Sequence, residues 1–221
     1  MSDLMTEIRR FRDWAGDDPP ATRSQEGLLV HADGEWESDY PHWTDLYAAV
    51  MEHMSARPRE RWSAEELQAV LYALARDNED EHLVWEIRAH HPATLIALAS
   101  AVLAGGEFDA RWQLADQLGF LDRDAGDVER LLLDFARDED EYIRRRAIKS
   151  LARLGCPAAE HLALEAWHRP HENQQWARMV ALDCLRRIGS PHLEPLLAEA
   201  ERDERPHLRD FAARMRQRRV E

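Results

Sequence analysis

The chain repeats itself. ARDNEDEHLVWEI at 75–87 aligns with ARDEDEYIRRRAI at 136–148 once the extra Asn78 is set aside. An apolar run precedes each acidic turn: Leu67, Val70, Leu71 and Leu74 in the first copy, Val128, Leu131, Leu132 and Phe135 in the second. Spacings of three and four put each set on one helix face. A second pattern follows the turn, an apolar–Arg pair with apolar residues continuing at helical spacing. It occurs as Ala110-Arg111 with Leu114, Leu118 and Leu121, as Ile143-Arg144 with Ala147, Leu151 and Leu154, and as Ala177-Arg178 with Ala181, Leu185 and Ile188. Leu208-Arg209 with Ala212 starts one more copy, and the Arg-to-Arg steps are 33, 34 and 31 residues. That is the period of helix-hairpin repeats, not of a propeller or a leucine-rich horseshoe.

Punctuation divides the chain in the same places. Pro92, Pro157 and Pro191 fall at or near the first turn of a leading helix, where a missing N–H costs nothing, and Gly155 and Gly189 sit where the preceding helix must stop. Five hairpins follow, at about 63–91, 92–121, 127–155, 157–189 and 191–220. Upstream, 1–62 holds two more helices, 3–15 and 44–56, joined by a loop over 16–43 that contains the breakers Asp17-Asp18-Pro19-Pro20 and Asp33-Gly34. A small β-hairpin fits around 28–36. The N-terminal helices are expected to pack on the repeats of 63–221, giving one continuous domain. In the last copy Arg216 and Arg219 stand where earlier copies carry Leu or Ile. A terminal repeat has no successor to cover it, so a polar outer face suits a capping helix.

With these features the chain resembles HEAT repeats, in particular the short bacterial HEAT-like kind related to phycobilisome lyases. The resemblance is carried by DEDEYIRRRAIKSLARLG at 138–155 and by weaker copies at 109–121, 171–189 and 203–212, and it covers about 63–220. It implies an all-α fold, a right-handed α-α superhelix of about five helix hairpins plus the N-terminal helices, with the second helices lining a concave surface. It also implies a polar ladder between an Asp at each turn and an Arg early in the second helix. Asp138 with Arg144 and Asp203 with Arg209 match that pattern, and Arg178 holds the same place in its copy. There His171 and Glu172 replace the Asp, while in the first copy Val84 replaces the Arg.

Composition narrows the chemistry. Lys+Arg 29 against Asp+Glu 43 leaves a net charge of −14, which argues against a generic nucleic-acid binder, since that must neutralise phosphates with basic groups. Cys156 and Cys184 match neither a disulfide framework nor a metal-ligand spacing, which fits a reducing, cytoplasmic compartment. No window approaches the ~20 apolar residues of a membrane span, and no signal-peptide pattern opens the chain. No Gly-x-Ser-x-Gly, His-Glu-x-x-His or phosphate loop occurs. The pairs Glu79/His82, Glu165/His168 and Glu204/His207 read as turn residues, so no metal and no cofactor are expected.

Helix phase selects a candidate surface. With each repeat Arg as position zero, positions +1 and +5 point away from the core. The first row reads Trp85, Trp112, Arg145, Met179 and Asp210, the second Ala89, Asp116, Lys149, Asp183 and Arg214. Trp85, Trp112, Asp116, Arg145, Lys149, Met179 and Asp183 are therefore the candidate partner-binding residues, because outward Trp beside Arg and Met has the composition of a hot spot. The competing reading is that the N-terminal segment folds over them as ordinary core. Residues 205–221 carry net +4, leaving −18 on 1–204. The expected function is non-catalytic binding of a protein partner, a basic one, and one concrete version is an immunity-type antagonist of a basic toxin. The resemblance also admits an enzyme. Trp85, Trp112 and Asp116 resemble the groove residues of the HEAT-like alkylpurine DNA glycosylases, and a bilin-lyase-like role is the other alternative, with no chromophore-handling residue to name. Arg145, Lys149 and Arg214 cancel Asp116, Asp183 and Asp210, which argues against a basic DNA groove.

Overall fold

Amphipathic spacing becomes helix almost everywhere. The structure is a computed structural model that describes residues 3–15, 22–23, 29–30, 39–170 and 174–217. Among the described residues the chain forms twelve α-helices and one two-stranded antiparallel ladder, an all-α fold. The ladder pairs β1 (Thr22–Arg23) with β2 (Leu29–Val30). This ladder reaches back upstream of the hairpin expected at 28–36, of which only Leu29–Val30 is described, as a strand whose partner is Thr22–Arg23; Leu28 and 31–36 lie outside the described residues. No described helix is long and apolar enough to cross a membrane. Contacts divide the chain into two compact units, Met1–Gln117 and Leu118–Glu221.

The first unit contains α1 (Leu4–Ala15), α2 (Trp43–Ala56), α3 (Ala64–Arg76), α4 (His82–His90), α5 (Pro92–Leu103) and most of α6 (Arg111–Leu118). A capping box starts α3: Glu66 N–H donates to Ser63 Oγ at 3.1 Å and Ser63 N–H donates to the Glu66 carboxylate at 2.7 Å. Two otherwise orphaned donors are thereby satisfied. Helix α1 packs on α2 and α3. Phe11, fully buried, meets the rings of Tyr40, Trp43, Trp14 and Tyr72 at 4.7–5.9 Å. Several of the chain's aromatics are therefore spent on this core. Their tilted and edge-on geometry is the arrangement ring quadrupoles favour.

The second unit contains α7 (Val128–Phe135), α8 (Glu141–Arg153), α9 (Ala159–His168), α10 (Gln174–Arg187), α11 (Leu193–Ala200) and α12 (Pro206–Gln217). Helix α7 packs on α8, α9 on α10 and α11 on α12, while α10 also meets α8 and α12. Second helices thus pack in chain order. Ile143, Ala147 and Leu151 on α8, Ala177, Ala181 and Leu185 on α10, and Leu208 and Ala212 on α12 are buried, the apolar face the repeat spacing marks. Met215 closes the core of α12 where the earlier copies would place residue 216, and Arg216 instead bonds Glu201 at 2.6 Å and Glu194 at 3.1 Å. Arg219 lies outside the described residues. Helices α8 and α10 stop alike. Gly155 and Gly189 take φ of +66° and +69°, and the next residue's N–H, on Cys156 or Ser190, reaches back to Leu151 or Leu185 at 3.0 and 2.9 Å. This left-handed closure satisfies the last carbonyls.

Candidate functional site

On α4 of the first unit, Trp85 is 52% exposed, and the Arg88 guanidinium lies 5.0 Å from its ring centre. Arg88 in turn donates to the Gln117 side chain at 2.9 Å, which ties that cation to α6. Trp112 is part-exposed. Asp116 departs from expectation: it is buried instead of facing outward. The cause is the shape of α6, which is short and surrounded. From Gln113 to Leu118 every residue is buried, and the Gln113 side chain donates to the Leu74 carbonyl at 2.6 Å. A phase argument assumes one wet face, and α6 has none over this stretch. The resemblance to a glycosylase groove accordingly loses its exposed acid.

In the second unit the candidate residues are less open than the phase implies. Arg145 stacks 4.5 Å over the Tyr142 ring with its Nε 3.4 Å from the Glu141 carboxylate, one helical turn back. Lys149 and Met179 are part-exposed, and Asp183 accepts from Arg186 at 2.8 Å. Trp85 and Trp112 belong to the first unit and Arg145, Lys149, Met179 and Asp183 to the second, so each group stands on its own unit.

The turn arginines follow one rule and one variation. Arg144 Nη1 donates to the Asp138 and Glu139 carbonyls at 2.8 and 2.7 Å, and Arg209 Nη1 donates to the Asp203 and Glu204 carbonyls at 3.0 and 3.3 Å. The partner in both copies is the peptide oxygen of the turn. The Asp138 carboxylate serves another purpose, accepting the Asp140 N–H at 3.0 Å. Arg178 reaches a neighbouring turn's carboxylate, Asp203 at 3.0 Å, while its Nε donates to the Trp167 carbonyl at 3.2 Å. A hydrogen bond from the Arg205 guanidinium, with Arg178 adding its charge, holds the Asp203 carboxyl at about 2. His171 and Glu172 lie outside the described residues.

A second set of links had no expectation attached. Cys156 Sγ lies 3.2 Å from the Glu129 carboxylate, and Ser190 Oγ donates to Glu160 at 2.6 Å. Each donor directly follows a helix-ending Gly, and each acceptor is the second residue of the leading helix one hairpin earlier. The shared Gly-Cys-Pro and Gly-Ser-Pro tripeptides were the available signal. Burial pushes the Cys184 thiol up to about 12 and raises Cys156 as well, so neither is a nucleophile near neutral pH. Among the described residues no three His, Cys, Asp or Glu gather as a metal site. No protein-family model, no curated protein and no solved structure matches this chain.

Proposed function

We propose that the hairpins are HEAT-like repeats, belonging to a right-handed α-α superhelix, and that the chain is a non-catalytic module that binds a protein partner. The architectural half is supported by the carbonyl-bound arginines at 144 and 209 and by the Glu129–Cys156 and Glu160–Ser190 links, which recur at equivalent places. The functional half rests on one observation: Trp85 is half exposed and braced by Arg88. A large amphipathic ring held rigid at low entropy cost, beside a guanidinium, is the usual anchor of an interface. The formal charge of −14 makes a basic partner the favoured one, with an antagonist of a basic toxin as its concrete form.

A photo-reactive residue at position 85 tests this in extract from the source organism, with exposed Ala93 as the control position. The reading expects a discrete adduct with a basic protein from position 85 only. Equal labelling from both positions, or saturable binding of a DNA duplex at low salt, contradicts it.

A further inference from the structure

Trp85 is one end of a longer aromatic band that lies wholly within the first unit. Helix α2 packs on α4. Along α2 the Trp43 and Tyr47 rings stack at 5.3 Å, and across the contact the Tyr47 ring lies 4.5 Å from the imidazole of His82, the first residue of α4. Trp85 follows His82 by three residues, on the adjoining strip of the same helix surface. His82 and Trp85 are exposed and Trp43 and Tyr47 part-exposed, whereas a core ring such as Phe11 is buried outright. Four rings therefore run across two helices where water reaches them.

The acidic turn between α3 and α4 borders this band. The Tyr47 hydroxyl donates to Asp77 at 2.8 Å, and burial, with the Asp77 and Asp80 charges adding to it, raises that hydroxyl above its ordinary range. Asp77 is spent on the fold, since it also accepts the Leu83 N–H. Glu79 and Asp80 are exposed and form no ion pair among the described residues. Two nearby cations are committed elsewhere: Arg88 donates to Gln117, and Arg10 pairs with Glu7 and Asp45. Charge is also unevenly shared along the chain, with a net −13 on residues 1–117 and −1 on 118–221. The band stands on the acidic half.

We propose, on the protein-binding reading on which this rests, that the band is the docking surface for an arginine-bearing segment of the basic partner. A guanidinium lies flat on the Tyr47 and His82 rings and turns its N–H edge to Glu79 and Asp80, while Trp43 and Trp85 cover the apolar stem and its neighbours. Ring faces attract a cation, and a planar, weakly hydrated guanidinium stacks on them with its donors still free for carboxylates. An ammonium is compact and strongly hydrated, so lysine satisfies one half of the site or the other. Exposed carboxylates beside the rings repel a phosphate backbone.

The full-length chain, labelled with nitrogen-15, is titrated with a short peptide of alternating arginine and serine while the tryptophan indole N–H signals are followed. Peptides with lysine or glutamine in place of arginine are compared with it. The arginine peptide is expected to shift the Trp43 and Trp85 signals saturably, with a dissociation constant of about 1 mM or tighter, and to leave the buried Trp167 of the second unit in place. Glu79→Gln combined with Asp80→Asn should weaken binding about fivefold or more with the melting temperature unchanged. Glu60→Gln combined with Glu65→Gln removes the same charge near the far end of α3 and should not. No saturable shift at Trp43 and Trp85, a glutamine or lysine peptide that binds as tightly, or equal weakening by the two double variants overturns the docking surface. A discrete adduct from position 85 would in any of those cases still uphold the protein-binding reading, so the two fail separately.

Discussion

Asp77 and Asp138 hold the same place in two copies of the turn and behave differently. Asp77 has Val84 where the second copy has Arg144, so no guanidinium braces its turn from that position. Its carboxylate instead accepts the Leu83 N–H at 2.7 Å and the Tyr47 hydroxyl at 2.8 Å, capping α4 from below. Burial outweighs those bonds and raises its pKa from 3.8 to about 6. A folded-state value above the unfolded one means that the neutral acid suits the fold. This contribution is complete below about pH 4 and is lost as pH rises through 6, a change of about 3 kcal/mol. A carbon-13 titration should find the Asp77 midpoint near 6, and a midpoint near 4 contradicts the assignment. The arginines provide a second contrast. Arg144→Ala removes a buried charged donor from two carbonyls and should cost about 1.5–3 kcal/mol of unfolding free energy, whereas Arg209→Ala, at an exposed copy of the same bond, should cost about 0–1 kcal/mol. Equal losses in urea denaturation contradict the burial argument.

At the scale of elements, close approach governs one junction. A Cβ on Gly119 would stand 2.5 Å from the Ser150 side chain of α8, so Gly119→Ala must displace that helix and should cost about 1–3 kcal/mol. Ser150→Gly in the same chain should recover part of the loss, and a Gly119→Ala variant that melts with the parent refutes the contact. Helix faces were legible beforehand wherever a helix has one wet side: Ile143, Ala147 and Leu151 on α8 follow the spacing and are buried. Asp116 was not legible, because periodicity cannot report that α6 is covered all round. The Glu129–Cys156 and Glu160–Ser190 links left only the shared Gly-Cys-Pro and Gly-Ser-Pro tripeptides as a trace. Thiol and hydroxyl donors do not look alike in sequence, and their acceptors lie 27 and 30 residues away. The hydrogen-bond partners of Arg144 escaped for a related reason. Arg145 and Arg169 find carboxylates one turn away, but the partners of Arg144 are peptide carbonyls, which no residue type reveals.

For the whole molecule, a formal charge of −14 sets the terms of encounter. A basic partner should associate more slowly as salt rises, since steering is screened over about a Debye length, while an apolar anchor such as Trp85 should govern dissociation. The central claim is that Trp85 serves a partner and not the fold. The most direct test measures Trp85→Ala twice, by thermal melting and by recovery of the basic partner that wild type captures. The account predicts stability unchanged within about 0.5 kcal/mol and affinity reduced by about thirtyfold or more. A lowered melting temperature with partner recovery intact would make Trp85 a structural residue and contradict the account.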